Sequence, residues 1–245
     1  MTRSLLAALA CGIFAACASA AQPPPADPYT VIYRELHPSV VLLTMQIPAD
    51  DPKRKGQWDD AYGSGVIVAS GAWGARILTD AHVIDGARNL RARAGDAGKT
   101  VPAHVVARSN DDDDLAIVDV ALPNAAVAPL GTSDRMEPGQ AVGVLGYPIP
   151  DAFEDEHLRT TVSLYAGRVA SVRNGTLELD LPIIPGESGG PVFDVTSGNV
   201  IGIAESRFDE ERAIGFATPL DVVSRFLAAH PAPDASVGHL AKVKP

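Results

Sequence analysis

A chain of 245 residues, 46% apolar and 20% charged, holds enough apolar material for one large or two small compact units, and its charge content argues against wholesale disorder. Its formal net charge is −10, and no Lys/Arg run is longer than the three residues 53–55. Nucleic acid is therefore excluded as a natural partner, because phosphate binding depends on cationic contacts. An acidic balance favours solubility and names no substrate.

The first twenty residues read as an export signal. Arg3 supplies a positive start, residues 5–16 an apolar stretch, and Ala18-Ser19-Ala20 a small-residue cleavage site. The apolar stretch is too short to anchor across a bilayer. Phe14 to Cys17 also matches a lipoprotein box, in which processing after residue 16 leaves a lipidated Cys17 as the first residue. That anchor is the sole membrane contact the sequence suggests. Both cysteines, Cys11 and Cys17, fall in this segment, so the mature domain is expected to be held by packing without a disulfide. Residues 21–28 form a Pro-rich spacer.

Asp27-Pro28 predicts a helix start, with Asp as N-cap and Pro at the first helical position. The helix runs through Leu36 and stops before Pro38. Short β-branched runs then predict strands near 40–47, 64–69, 76–80, 89–94, 100–107 and 115–120. A second set lies near 141–147, 160–172, 176–181, 191–195, 200–205 and 213–218. Residues 124–140 separate the two groups of six, and two closed barrels would leave neither group with an exposed edge. The stretches 48–62 and 151–157 read as solvated surface insertions. Residues 219–230 predict an amphipathic helix with Val222, Val223, Phe226 and Leu227 on one face. The tail 231–245 is expected to be loose.

Three stretches carry the chemistry. "ILTDAHVIDGA" (77–87) ends a strand on a histidine. "NDDDDLAIVDV" (110–120) runs an acidic cluster straight into a strand. "PGESGGP" (185–191) sets one serine among glycines. A serine hydroxyl is a weak nucleophile and needs a neighbouring base. Histidine suits that task, provided a buried acid holds its tautomer. Asp114 abuts the apolar "LAIV" and is the acid best placed to enter the core, whereas Asp111 to Asp113 read as solvated loop. In "GESGG", Gly186 permits a bend that turns its own N–H and that of Ser188 toward one point, where an oxyanion would form. Gly189 and Gly190 would leave room for substrate to approach. No cofactor and no metal ion is needed for such chemistry.

These stretches, with "GSGVIVASGAWGAR", "GYPIP", "FDVTSGNVIGIAES" and "AIGFATPLDVV", resemble the chymotrypsin-like serine proteases, in particular the bacterial HtrA/Deg branch. The resemblance covers residues 29–230. It implies an all-β fold of two six-stranded antiparallel barrels, about 38–123 and 139–218, with an N-terminal and a C-terminal helix and the active site between the barrels. It implies His82 as general base, Asp114 as its orienting acid, Ser188 as nucleophile, and the Gly186 and Ser188 amides as oxyanion hole. Protein or peptide segments are the implied substrates. The primary pocket is expected between Pro182 to Ile184 and the strand Ile203, Ala204, Glu205, with a preference for small or medium apolar residues. About fifteen residues follow His230, so no PDZ domain and no peptide gating through one is expected. Glu187 stands where the wider family has Asp and the HtrA branch usually Asn. Relatives often form trimers, but no feature of this sequence demands one.

Two other readings compete. "GESGG" also fits the G-x-S-x-G elbow of an esterase, which needs a helix after the serine and a later histidine, here His230 or His239. A non-catalytic binding module on a protease scaffold would have a collapsed serine loop and no formed oxyanion notch; the presence of all three triad residues argues against it.

Overall fold

The computed structural model describes residues 26–109, 113–173, 175–205, 214–233 and 236–237. The expected signal segment and Cys17 lie outside these residues. Helix α1 (Pro28–Leu36) begins as anticipated, with Pro28 in its first turn and Asp27 Oδ1 accepting the Thr30 N–H at 3.3 Å. Strands β1 (Val40–Pro48), β2 (Trp58–Gly71), β3 (Gly74–Asp80), β4 (Arg88–Ala94), β5 (Val101–Arg108) and β6 (Leu115–Val120) follow. They pair antiparallel in the order β1-β4-β5-β6-β3-β2, and β2 pairs back onto β1 to close the first barrel.

The second barrel is built from β7 (Ala141–Gly146), β8 (Ser163–Arg173), β9 (Thr176–Leu179), β10 (Pro191–Asp194), β11 (Val200–Glu205) and β12 (Gly215–Pro219). Its closed ring runs β10-β11-β12-β9-β8-β7. Helix α2 (Pro150–Asp155) sits between β7 and β8, and helix α3 (Leu220–Ala229) follows β12. A two-residue strand β13 (Ser236–Val237), within the tail expected to be loose, pairs with β2 at Ala69 and Ser70.

Strand alternation explains the unbroken apolar runs. Val41, Leu43 and Met45 face the interior of barrel one with Ile67, Ile77 and Val118. Their neighbours Val40 and Leu42 face a shared cluster that contains Leu145, Tyr147 and Phe193 of barrel two and Leu36 of α1. A strand buried on both faces needs no polar alternation. Barrel two has its own interior, built from Val144, Leu177, Leu179 and Val192 among others.

Both expected surface insertions are largely exposed and carry regular structure. The 48–62 stretch is the tip of a long hairpin, since β1 and β2 stay in register from Val40↔Val66 out to Pro48↔Trp58. The acidic 151–157 stretch carries α2, with Pro150 in its first turn and Asp151 there as the acidic residue. Both are favourable helix-start features.

Helices α1 and α3 both cross over to the other barrel. Helix α1, which leads into barrel one, donates from Tyr29 and Tyr33 hydroxyls to the Val142 and Val162 carbonyls of barrel two at 3.4 and 3.1 Å. Helix α3, which trails barrel two, ends against barrel one: Arg76 Nη1 of β3 donates to the His230 carbonyl at 2.6 Å. Arg76 is only 4% exposed and donates from Nε and Nη2 to both Asp119 oxygens at 2.8 and 2.9 Å. Removing one member of a buried charge pair leaves the other uncompensated. Asp119→Ala is therefore expected to destabilise the fold by about 2–4 kcal/mol, less than a fully buried pair because Asp119 keeps some solvent. Urea denaturation of the variant against the parent checks this.

Candidate active site

The site begins where β3 ends. After Asp80 the chain turns through a short 3₁₀ segment (His82–Ile84) that presents the His82 ring half-exposed. Asp114 comes from the residue just before β6, in a left-handed conformation (φ 46°) that Asp tolerates better than most residues. Strand pairing of β3 with β6, Asp80↔Leu115, brings the two together. Asp114 then holds its partner three ways. Its carbonyl accepts the Ala81 N–H at 2.9 Å, its Oδ1 the His82 N–H at 2.8 Å, and its Oδ2 lies 2.5 Å from His82 Nδ1. The acid thus fixes both the backbone and the ring of the histidine, leaving Nε2 as the nitrogen turned away from it.

Asp80, His82 and Asp114 place ligand atoms within 4.8 Å of one another and could hold a cation. The direct His82–Asp114 bond already accounts for two of the three.

Ser188 lies on the turn between residues 184 and 190 and is 5% exposed. The turn is stitched by Glu187 N–H to Ile184 O at 2.9 Å and Gly190 N–H to Glu187 O at 2.9 Å. Gly186 has φ 95°, and a Cβ there would stand 2.3 Å from the Tyr147 carbonyl oxygen. The Pro185 carbonyl accepts the Ile149 N–H at 2.7 Å. In a trans peptide the N–H points opposite to the carbonyl, so the Gly186 N–H is aimed away from Ile149. Ile149 is itself left-handed (φ 34°, ψ 56°), a costly conformation for a β-branched residue.

Gly189 marks the seam between barrels. Its φ is 87°, and a Cβ would fall 2.2 Å from both Ser64 O of β2 and Thr79 Oγ1 of β3. Ser64 N–H donates to Ser188 O at 2.9 Å, and Thr79 Oγ1 donates to Ser64 O at 2.7 Å. Thr79 is three residues before His82, so the seam holds the serine turn beside the strand that delivers the histidine. The freedom at Gly189 serves this backbone approach and not, as expected, the entry of substrate. Gly190 likewise packs on protein, with a Cβ 2.3 Å from Leu145 O.

The family described as the trypsin-like peptidase domain matches residues 63–203. The chain belongs to the trypsin-like peptidase family. Among curated relatives, "Protease Do-like 1, chloroplastic" of Arabidopsis thaliana is 31% identical over 204 residues, covering 78% of this chain and 45% of the relative. The "Probable periplasmic serine endoprotease DegP-like" of Pseudomonas savastanoi pv. phaseolicola is 29% identical over 187 residues, covering 71% and 37%. The chain thus spans less than half the length of these relatives. The solved structure of "HtrA-type protease AlgW with tripeptide" superposes with a TM-score of 0.67 at 26% identity, covering 82% of this chain and 62% of that one. The serine endoprotease from Yersinia pestis gives a TM-score of 0.65 at 25% identity, covering 85% and 67%.

The other expected site residues are placed as follows. Pro182 is exposed and Ile184 half-buried beside the serine turn. Ile203 and Ala204 are fully buried, Ile203 in the inter-barrel cluster and Ala204 inside barrel two. Their side chains thus point into two different apolar clusters, and only the backbone of this part of β11 is left to border a pocket. Glu205 is 5% exposed with its Oε2 3.4 Å from Thr218 Oγ1. The esterase elbow is ruled out in this fold: strand β10, not a helix, follows Ser188. His230 Nδ1 sits 3.0 Å from the Phe226 carbonyl at the end of α3, and His239 lies outside the described residues.

Glu187, next to the nucleophile candidate, is fully buried. Its Oε2 accepts the Ile184 N–H at 2.8 Å, while Oε1 has no hydrogen-bond partner among the described residues. Burial pushes its carboxyl from the ordinary 4.5 up to about 7, the Ile184 N–H opposing only in part. A folded-state value above the unfolded one contributes stability that is full below about pH 4.5 and is lost as pH rises through about 7. Glu187→Gln is expected to remove this slope, raising stability at pH 8 relative to the parent by about 3 kcal/mol. Urea midpoints measured from pH 4.5 to 8 check it; an unchanged slope would show that Glu187 is ionised throughout.

Proposed function

We propose that the chain is an exported serine endopeptidase that cleaves peptide bonds in proteins through an acyl-enzyme. The observation that carries this reading is the His82–Asp114 pair, 2.5 Å apart, at the seam that binds the Ser188 turn to barrel one. In this reading Ser188 Oγ attacks the scissile carbonyl and His82 takes its proton, later giving it to the leaving amine. Asp114 holds the imidazole tautomer and stabilises the cation that forms. The Gly186 and Ser188 amides meet the developing oxyanion; a pre-aimed donor of this kind contributes about 3–4 kcal/mol to the barrier. Water then releases the acyl group by the same route in reverse.

The names of the relatives support the reaction class, and the tripeptide solved together with AlgW supports peptide as the ligand class. The apolar run from Pro182 to Ile184 supports a small or medium apolar residue before the scissile bond. The periplasmic name of the DegP-like relative supports export. N-terminal mass spectrometry of the exported protein decides whether processing falls after Ala20 or before Cys17.

Ser188→Ala and His82→Ala are each expected to abolish casein hydrolysis and fluorophosphonate labelling while leaving the thermal midpoint within a few degrees. His230→Ala should retain both activities. Asp114→Asn should lower turnover by about 10⁴-fold by holding the wrong tautomer, and Asp113→Asn should leave it near that of the parent. Casein turnover by purified Ser188→Ala, or an Asp113→Asn defect as large as that of Asp114→Asn, would sink the assignment of roles.

A further inference from the structure

We propose that Ser64, a residue of barrel one, is the positioning residue that sets the oxyanion hole of barrel two. This rests on the serine-endopeptidase reading above. Ser64 is fully buried in β2, and every polar atom it owns is engaged. Its Oγ donates to the Gly186 carbonyl at 2.7 Å and accepts the Tyr147 N–H at 2.9 Å. Its N–H donates to the Ser188 carbonyl at 2.9 Å, and its carbonyl accepts from Thr79 Oγ1 at 2.7 Å. A single side chain and its backbone therefore grip the carbonyls of the two residues whose N–H groups are assigned to the oxyanion.

The direction of the Gly186 N–H depends on this grip. The peptide before Gly186 is held at its carbonyl by the Ile149 N–H, and the peptide after it by Ser64 Oγ. With both flanking planes fixed, Gly186 stays at φ 95° and its N–H stays aimed. A rotation that took this N–H out of the hole would swing the Pro185 carbonyl off Ile149 and force a new φ at Gly186, whose far side Ser64 holds in place. Ser64 also bridges to Tyr147, two residues before Ile149, so one hydroxyl ties both clamps together. A serine hydroxyl can donate once and accept at the same time, and this arrangement uses it both ways. Alanine would take the Ser64 hydroxyl away from a half-buried carbonyl and a buried N–H.

The test uses the full chain with Ser64→Ala and Ser64→Cys. Cysteine fills nearly the same space but is a weak donor, so it separates hydrogen bonding from packing and decides the matter if the alanine variant does not fold. Both variants are expected to lose about 10- to 100-fold in kcat on a peptide amide, with thermal midpoints recorded for each. The second readout is ground-state binding. In the Ser188→Ala background, adding the Ser64 substitution should change the Kd for the same peptide by less than about twofold, because only the transition state meets the hole. A folded Ser64 variant with parental kcat overturns the proposal. So does a Kd that weakens as much as kcat/KM falls, which would mark a general loosening of the cleft. Absence of turnover by folded parent protein would instead overturn the endopeptidase reading itself.

Discussion

Two separately closed barrels can share an active site only if something fixes their relative position to within a fraction of an ångström. Here that constraint is the contact of Ser64, Thr79 and Gly189. The serine turn presses its backbone against β2 and β3 so closely that no side chain fits at residue 189. The imidazole then follows three residues along the same stretch of chain. Apolar burial alone could not do this, because it is non-directional and leaves neighbouring registers nearly equal. Hydrogen bonds across the seam supply the direction, and Asp96 of barrel one adds another through the Val162 N–H at 2.8 Å.

The region around the serine concentrates local conflict. Ile149 sits in a conformation that its side chain disfavours, and Glu187 buries a carboxyl with one oxygen unpartnered among the described residues. Each departs from what its residue type ordinarily adopts. Such violations persist where the surrounding structure over-determines them, and they cluster at functional sites. The distribution here fits that pattern: both residues touch the turn from 184 to 187.

Much of the frame is legible because it depends on local signals. β-branched runs bounded by turn residues locate all twelve barrel strands, and Asp27-Pro28 locates the first helix start. The histidine, aspartate and serine stand out because each interrupts a strand boundary with chemistry the boundary does not need. What escapes has longer-range causes. Ser64 looks like an ordinary strand serine; its partners lie 83 and 122 residues away. Alternation along β11 likewise tells which residues share a face, not which of two cores the Ile203 and Ala204 side chains meet. The role of Gly189 is hidden for the same reason, since sequence shows the lack of a side chain and not the body that fills its place. Helix α2 is different: Pro150 and Asp151 signal its start, but the acidic composition suggests a solvated loop.

The exchanged termini have a mechanical consequence. Helix α1 precedes one barrel and fastens to the other; helix α3 does the reverse. The molecule is thus buckled at both ends, and neither half can peel away without unfastening a strap that belongs to its sibling. Heat or denaturant should therefore dismantle both halves in one cooperative step.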